Sequence, residues 1–396
     1  MLKHLGFSKG LIYIALGNVL GAALTGFFWL FLASIQSAED YGKVNFEVAI
    51  ASLATFGALL GLNTTVTTYA AKGSSRIAVQ ANQLVLISGG IAAAVISSLF
   101  VDWLLGLFVI GMTFWMMSSY ELLGKKMYRQ YAFVVVGARA SQLVMSVAFY
   151  YLFGEWGIIA GFAISYLLFS YRYFLSIRKF DFSLFDEIKS KAKFIGHAYS
   201  FNMSNAFFMY FDKLLIAPIF GYFVLGNYQL GLQFLLFVGM VPISFYQYLL
   251  PEEASSSTSR KTRRWQGMAG LFVSVLLATL LFFASPWIIE RFFPNFTESL
   301  DAIRIMGLGV IPMMVVWILN SRFFSQGNTR YVVVGSAIYL LSQTTLVIIL
   351  GTRMGVAGIA IATVLALTAQ AAFLYVASRR VAAMVVNEND SAGGGQ

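Results

Sequence analysis

An all-α integral membrane fold, with twelve transmembrane helices in two six-helix lobes, is predicted by three features of the sequence. Of its 396 residues, 59% are hydrophobic and only 11% charged, and mean hydropathy is +0.76. A soluble domain of this length cannot bury so much apolar surface in one core. Apolar runs of about 20 residues, the length that crosses a hydrocarbon layer about 30 Å thick, recur twelve times. The loops between them carry their cations very unevenly, as the positive-inside rule requires of a multi-pass chain.

The predicted spans lie at about 11–35, 44–71, 83–100, 103–122, 131–153, 156–177, 194–219, 223–250, 266–288, 302–323, 330–350 and 355–377. The first is too long for a signal-peptide core and lacks a clear small-residue cleavage site, so it is expected as a retained span. Spans three and four must reverse at Val101-Asp102, and spans five and six at Gly154-Glu155. The seventh and eighth are expected to turn over Gly221 to Gly226. With a cytoplasmic N-terminus, most of the 27 Lys and Arg residues fall on the cytoplasmic side; Lys43, Arg291, Arg304 and Arg353 fall outside, while Arg139 and Lys213 lie within spans. Both termini are then cytoplasmic. Anionic headgroups of the inner leaflet account for the net charge of +10 without any nucleic acid partner. Cysteine is absent and only His4 and His197 are present, which excludes disulfides, thiolate metal sites and His-rich metal sites. No cofactor is expected.

The two longest polar loops, 178–193 and 251–265, are both cytoplasmic. The first separates a six-helix lobe at 1–177 from a second at 194–380, leaving 381–396 as a polar, Gly-rich tail expected to be disordered. A shift of 184 residues aligns Asn18 with Asn202, Ala22 with Ala206, Phe27 with Phe211, Leu30 with Leu214 and Gly42 with Gly226. Six helices separate the copies, so the repeat is parallel, with a pseudo-two-fold along the membrane normal. A central cleft between the halves is the expected transport path.

Several short motifs recur in order along the chain. They are Glu39-Asp40-Tyr41-Gly42 as a turn before the second span, Leu60-Gly61-Leu62 within it, and Gly-x-Ala-Ile at both Gly161 and Gly358. The series also includes Phe211-Asp212-Lys213 leading to Gly226-Asn227-Tyr228, and Leu249-Leu250-Pro251-Glu252 closing the eighth span. Together they resemble the Wzx-type flippases of polysaccharide and O-antigen biosynthesis, members of the superfamily that also holds the MATE multidrug exporters and the lipid II flippase MurJ. The resemblance implies a MATE/MurJ-like fold in the inner, cytoplasmic membrane and a flippase working by ion-coupled alternating access. Its implied cargo is a polyprenyl-diphosphate-linked oligosaccharide moved from the cytoplasmic to the outer leaflet. It further implies H⁺ or Na⁺ as coupling ion, membrane lipids as surroundings, and a polysaccharide polymerase and other envelope assembly proteins as partners. Twelve spans suit Wzx and MATE members, whereas MurJ has fourteen.

Such a cargo carries about two negative charges on its diphosphate, which are very costly in hydrocarbon, so cations and hydroxyls must line its path. The candidates within or at the edge of spans are Arg139, Arg172, Lys213, Arg304 and Arg322. Arginine offers a bidentate fork and lysine a compact point charge. Arg139 is read as a cation facing the substrate or as one snorkelling to headgroups, Arg172 as a substrate contact or an interfacial anchor, and Arg304 as a release site or an outer anchor. Asp212 and Lys213 are sequence neighbours pointing about 100° apart on a helix, so they are not expected to pair with each other. Asp212 is assigned a conformational role because the family motif has an acid there. Glu47 is the other acid at membrane depth, either a coupling site for H⁺ or Na⁺ or an interfacial glutamate. Asn18 and Asn202 are read as glycan contacts or interhelical hydrogen bonds, and the hydroxyls of Thr64, Thr65, Thr67 and Thr68 as cavity lining or bonds back to their own helix.

Three other classes are weighed against the flippase. A membrane polymerase or glycosyltransferase would need a sizeable extramembrane lobe, paired carboxylates or a metal cluster, and none is present in the sequence, so no enzyme is expected. A MATE-like exporter of small organic cations would need a cleft dominated by acids, whereas here the within-span cations match or outnumber Glu47 and Asp212. A scaffold without transport would need no polar lining at all.

Overall fold

A computed structural model describes residues 9–74, 76–179, 185–254 and 260–393. Its secondary structure, among the described residues, is helical throughout. The helices are α1 (Lys9–Ile35), α2 (Ala38–Leu59), α3 (Leu62–Ala71), α4 (Arg76–Phe100), α5 (Trp103–Gly124), α6 (Tyr128–Phe153), α7 (Glu155–Leu168) and α8 (Tyr171–Ile177). After these come α9 (Asp186–Ser190), α10 (Ala192–Phe220), α11 (Tyr222–Ala254), α12 (Arg260–Phe292), α13 (Ser299–Leu308), α14 (Val310–Ser325) and α15 (Thr329–Gly393).

Eight of these stretches are long and apolar enough to cross a membrane, and two bent pairs, α2 with α3 and α7 with α8, raise the number to ten. One of the eight, Thr329–Val381, runs to 53 residues and is broken at Gly355, so it holds both of the last two predicted spans. The seventh predicted span corresponds to α10, which is not among the ten. All twelve predicted segments therefore have a helix or bent pair in place, and the chain is a multi-pass integral membrane protein.

The short reversals form as the sequence requires. At the first, Val101 takes a left-handed φ of 52° and the Asp102 carboxylate accepts the Leu104 N–H at 2.8 Å, capping α5. Asp102→Ala should lower stability by about 1 kcal/mol, the usual worth of such a cap, read as a small drop in the thermal midpoint of detergent-solubilised protein. The Ser37-to-Gly42 segment departs from its reading as a turn. Ser37 Oγ accepts the Asp40 N–H at 3.1 Å and donates to the Asp40 carboxylate at 2.6 Å, a reciprocal cap that starts α2 six residues earlier than expected. The break within the second span falls at Leu60 and Gly61, both with positive φ, and bends α2 from α3 by 49°. Between α10 and α11 the turn is Gly221 alone, with φ 85°, and Gly226 lies inside α11. α15 continues to Gly393, beyond the expected end of the last span, and takes in most of the polar stretch read as a tail; residues 394–396 lie outside the described residues.

Two of the breaks, 201 residues apart, share one local geometry. Gly154 (φ 69°, ψ −150°) separates α6 from α7, and Gly355 (φ 58°, ψ −133°) breaks α15 in nearly the same conformation. Three residues after each break, a Cβ on Gly157 would overlap the Phe149 carbonyl, and one on Gly358 would overlap the Leu350 carbonyl. By this local geometry Gly157 and Gly358 are equivalent positions.

By packing, the chain divides into two compact units. One takes α1 up to Leu32 together with Lys43–Leu214; the other takes Ala33–Gly42 together with the chain from Leu215 onward. In the first unit α5 is the central helix, buried along most of its length. Rings from neighbouring helices pack along it: Phe108 against Phe162 at 5.4 Å, Trp115 stacked on Tyr166 at 5.0 Å, and Phe114 stacked on Tyr173 at 4.0 Å. In the second unit Val316, Leu319 and Phe323 of α14 form a core cluster with Ala371, Leu374 and Ala377 of α15.

Candidate functional site

The polar centre of the first unit is built around Arg139, halfway along α6. Gly161 of α7 lies so close to Ser146 of α6 that a Cβ there would overlap its backbone, and Ser146 Oγ donates to the Ile158 carbonyl at 3.1 Å. This tight seam brings Tyr166 opposite Arg139. Arg139 Nη1 donates to Tyr166 OH at 2.8 Å and to Gln142 Oε1, one turn along α6, at 2.9 Å. The guanidinium stands 5.1 Å from the centroid of the Trp115 ring and 5.7 Å from that of Tyr166, within cation–π range. Tyr210 of α10, hydrogen-bonded to Ser52 of α2, lies within electrostatic reach of it.

Among the described residues no carboxylate lies within ion-pair distance of Arg139, and its Nε and Nη2 take no protein partner. A half-buried arginine held by neutral groups, with donors left over, has the chemistry to receive an anion. Of its neighbours, Gln142 had a sequence signal, a polar residue at i+3 inside an apolar span. Trp115 and Tyr166 had none, because aromatics are abundant throughout the chain.

The other expected residues fall in separate places. Asp212 and Lys213 do pair with each other, against expectation: Lys213 Nζ lies 3.1 Å and 3.3 Å from the two carboxylate oxygens, with side chains only 13% and 15% exposed. The 100° between neighbouring Cβ atoms is bridged by the four-carbon lysine stem, so the local charge of Lys213 is cancelled. Arg172 is an ion-pair partner of Glu121, its Nε 2.9 Å from the carboxylate. Asn202 bonds Asn63 Oδ1 at 2.9 Å and Thr64 Oγ1 at 3.0 Å, tying α10 to α3. Asn18 accepts from Tyr131 OH at 3.1 Å, tying α1 to α6. Thr65, Thr67 and Thr68 bond back to the carbonyls of Gly61, Asn63 and Thr64.

Glu47 is half-buried in α2, within electrostatic reach of Lys43, Asp102 and Glu155, and Lys43 pairs with Glu155 at 3.1 Å. Among the described residues no acidic or histidine cluster could hold a metal ion. Arg304 belongs to the second unit, where its guanidinium stands 5.0 Å from the Phe282 ring and its buried Nε lacks a partner. Glu121, which is not among the expected site residues, is fully buried in α5 and holds two cations. Its signal was an acid inside an apolar span, four residues before Lys125.

Residues 224–389, which run from α11 into α15, match a family model described as the lipid II flippase MurJ. Among curated proteins no sequence matches this chain. A multidrug resistance MATE family transporter of the MOP superfamily, solved facing inward, superposes with a TM-score of 0.67 at 15% identity, covering 95% of this chain and 99% of that one. This chain has the fold of the MOP-superfamily transporters. The lipid II flippase MurJ in an inward closed conformation superposes at 0.60 with 16% identity, over 92% of this chain and 78% of its own. A MOP superfamily transporter from Pyrococcus furiosus, whose reverse polarity of the binding pocket is reported to suggest a different function, superposes at 0.56 with 14% identity, over 94% and 95%.

Proposed function

We propose that this protein is a flippase that moves a polyprenyl-diphosphate-linked oligosaccharide from the cytoplasmic to the outer leaflet of the cytoplasmic membrane by alternating access. The observation that carries this reading is Arg139, a half-buried cation with no carboxylate and two unused donors among the described residues. A diphosphate crossing the membrane needs such a fork, because its charge loses the hydration that water supplied. The Pyrococcus furiosus transporter gives a precedent for this fold with altered pocket polarity. The partial match to MurJ over 224–389 supports a lipid-linked cargo.

In this scheme Arg139 leads, with Arg172 and Arg304 as further cations on the path and Asn18 and Asn202 as hydrogen-bonding groups for glycan. Glu47 and the Asp212–Lys213 pair are the groups whose protonation or ion binding couples the cycle to H⁺ or Na⁺. A glycan delivered to the outer leaflet would pass to a polysaccharide polymerase or another envelope assembly protein.

One observation favours a second reading, a MATE-like exporter of small organic cations. Lys213 is neutralised by Asp212, and Glu47 has Asp102 and Glu155 within reach. Reconstituted vesicles separate the two. Transfer of a lipid-diphosphate-linked oligosaccharide, driven by an imposed H⁺ or Na⁺ gradient, supports the flippase. Absence of such transfer, with efflux of an organic cation instead, overturns it.

A further inference from the structure

A second cationic centre in the first unit lies where the bent helix α8 meets the end of α5. Glu121 is 1% exposed, and its Oε1 receives both Arg172 Nε, at 2.9 Å, and Lys125 Nζ. Two cations on one carboxylate leave an excess positive charge. Unlike the acid, the cations reach the surface: Arg172 is 23% and Lys125 28% exposed. Among the described residues, Nε is the only nitrogen of Arg172 that the protein engages, so both Nη groups remain open as a fork.

The backbone behind this fork is firmly held. Ser118 Oγ accepts the Tyr173 N–H at 2.8 Å, Tyr173 OH donates to the Asn82 carbonyl at 2.9 Å, and the Tyr173 ring stacks on Phe114. Leu175, one turn along α8 from Arg172, is exposed, as are Tyr171 and Phe174. Oriented donors with an excess positive charge thus sit beside an exposed apolar surface on one short helix. That combination fits a phosphate carried on a hydrocarbon tail.

We propose that Arg172 and Lys125 form a binding site for the phosphate group of a membrane lipid, with Glu121 as the positioning residue that aims both cations. The site is distinct from the Arg139 centre and stands whether or not Arg139 contacts cargo.

The full-length protein in detergent, presented with a polyprenyl diphosphate, phosphatidylglycerol or diacylglycerol, is read by native mass spectrometry for retained lipid. Wild type should retain the phosphate lipids and shed diacylglycerol. Arg172→Lys preserves the ion pair and hence the fold but removes the fork, and should lower retention several-fold. The triple variant Glu121→Gln/Lys125→Gln/Arg172→Gln removes the acid and both cations together, leaves no unpaired charge and should lower retention about tenfold, with the thermal midpoint near that of wild type. Preference for the diphosphate over phosphatidylglycerol would identify cargo as the occupant, and equal retention would identify bulk headgroups; both support a phosphate site. Undiminished retention in the triple variant, or no wild-type discrimination against diacylglycerol, overturns it.

Discussion

Arg139→Ala should lower the initial rate of lipid-linked oligosaccharide transfer in vesicles on the order of a hundredfold while leaving the protein folded. Two charge-assisted hydrogen bonds to a diphosphate, worth about 1.5–3 kcal/mol each, supply that factor even if only part of their energy appears in the barrier. The fold should tolerate the change. Tyr166 OH and Gln142 Oε1 already stand 3.5 Å apart and can satisfy one another once the guanidinium is gone, and no carboxylate is left behind uncompensated. Arg139→Lys keeps the charge but loses the planar fork, so its rate should fall between the two, roughly tenfold below wild type. Size-exclusion behaviour and the thermal midpoint serve as the folding control. Full-rate transfer by well-folded Arg139→Ala would mean that this cation does not contact the cargo, and the flippase reading would lose its main support.

What the sequence revealed, and what it did not, follows from the range of each interaction. Spans are legible because a membrane requires about 20 apolar residues per crossing whatever the partners, and local turn chemistry marks their ends, as at Asp102 and Gly154. The Asp212–Lys213 pairing was missed because helix geometry fixes only Cβ directions, while the final atom sits beyond four rotatable bonds. Glu121 was overlooked for a different reason. Its partner Arg172 is distant in sequence and reads as a membrane-edge anchor, so only the folded seam between α5 and α8 reveals the pair. Arg139 was legible as a cation inside an apolar run, yet its aromatic bed was not, since nothing in the sequence distinguishes Trp115 and Tyr166 from the many other rings.

Gly226→Ala should destabilise the protein by on the order of 3 kcal/mol, a large cost for a single added methyl group. Gly226 of α11 faces the first turn of α2 within the second unit. A Cβ there would overlap the Ala38 carbonyl oxygen and come within 3.1 Å of the Gly42 nitrogen. The obstacle is backbone, so no side chain can swing aside, and the two helix starts must separate. The contact is also reciprocal: a Cβ on Gly42 would overlap the carbonyl oxygen of Tyr222. The same 184-residue shift that aligns Gly42 with Gly226 aligns Ala38 with Tyr222, so the two segments meet as equivalent surfaces across a local two-fold, each glycine admitting the other's helix. The symmetry makes the prediction specific. Gly42→Ala should cost about as much as Gly226→Ala, and the double variant should cost much less than the sum, because helices parted by one methyl have room for the second. Gly267→Ala in α12, where a Cβ meets nothing within 4 Å, should leave stability unchanged or raise it by up to about 1 kcal/mol. Thermal unfolding followed by tryptophan fluorescence, on all four variants in one detergent, measures the whole set. Strict additivity of Gly42→Ala and Gly226→Ala would show that the two helix starts do not share one contact.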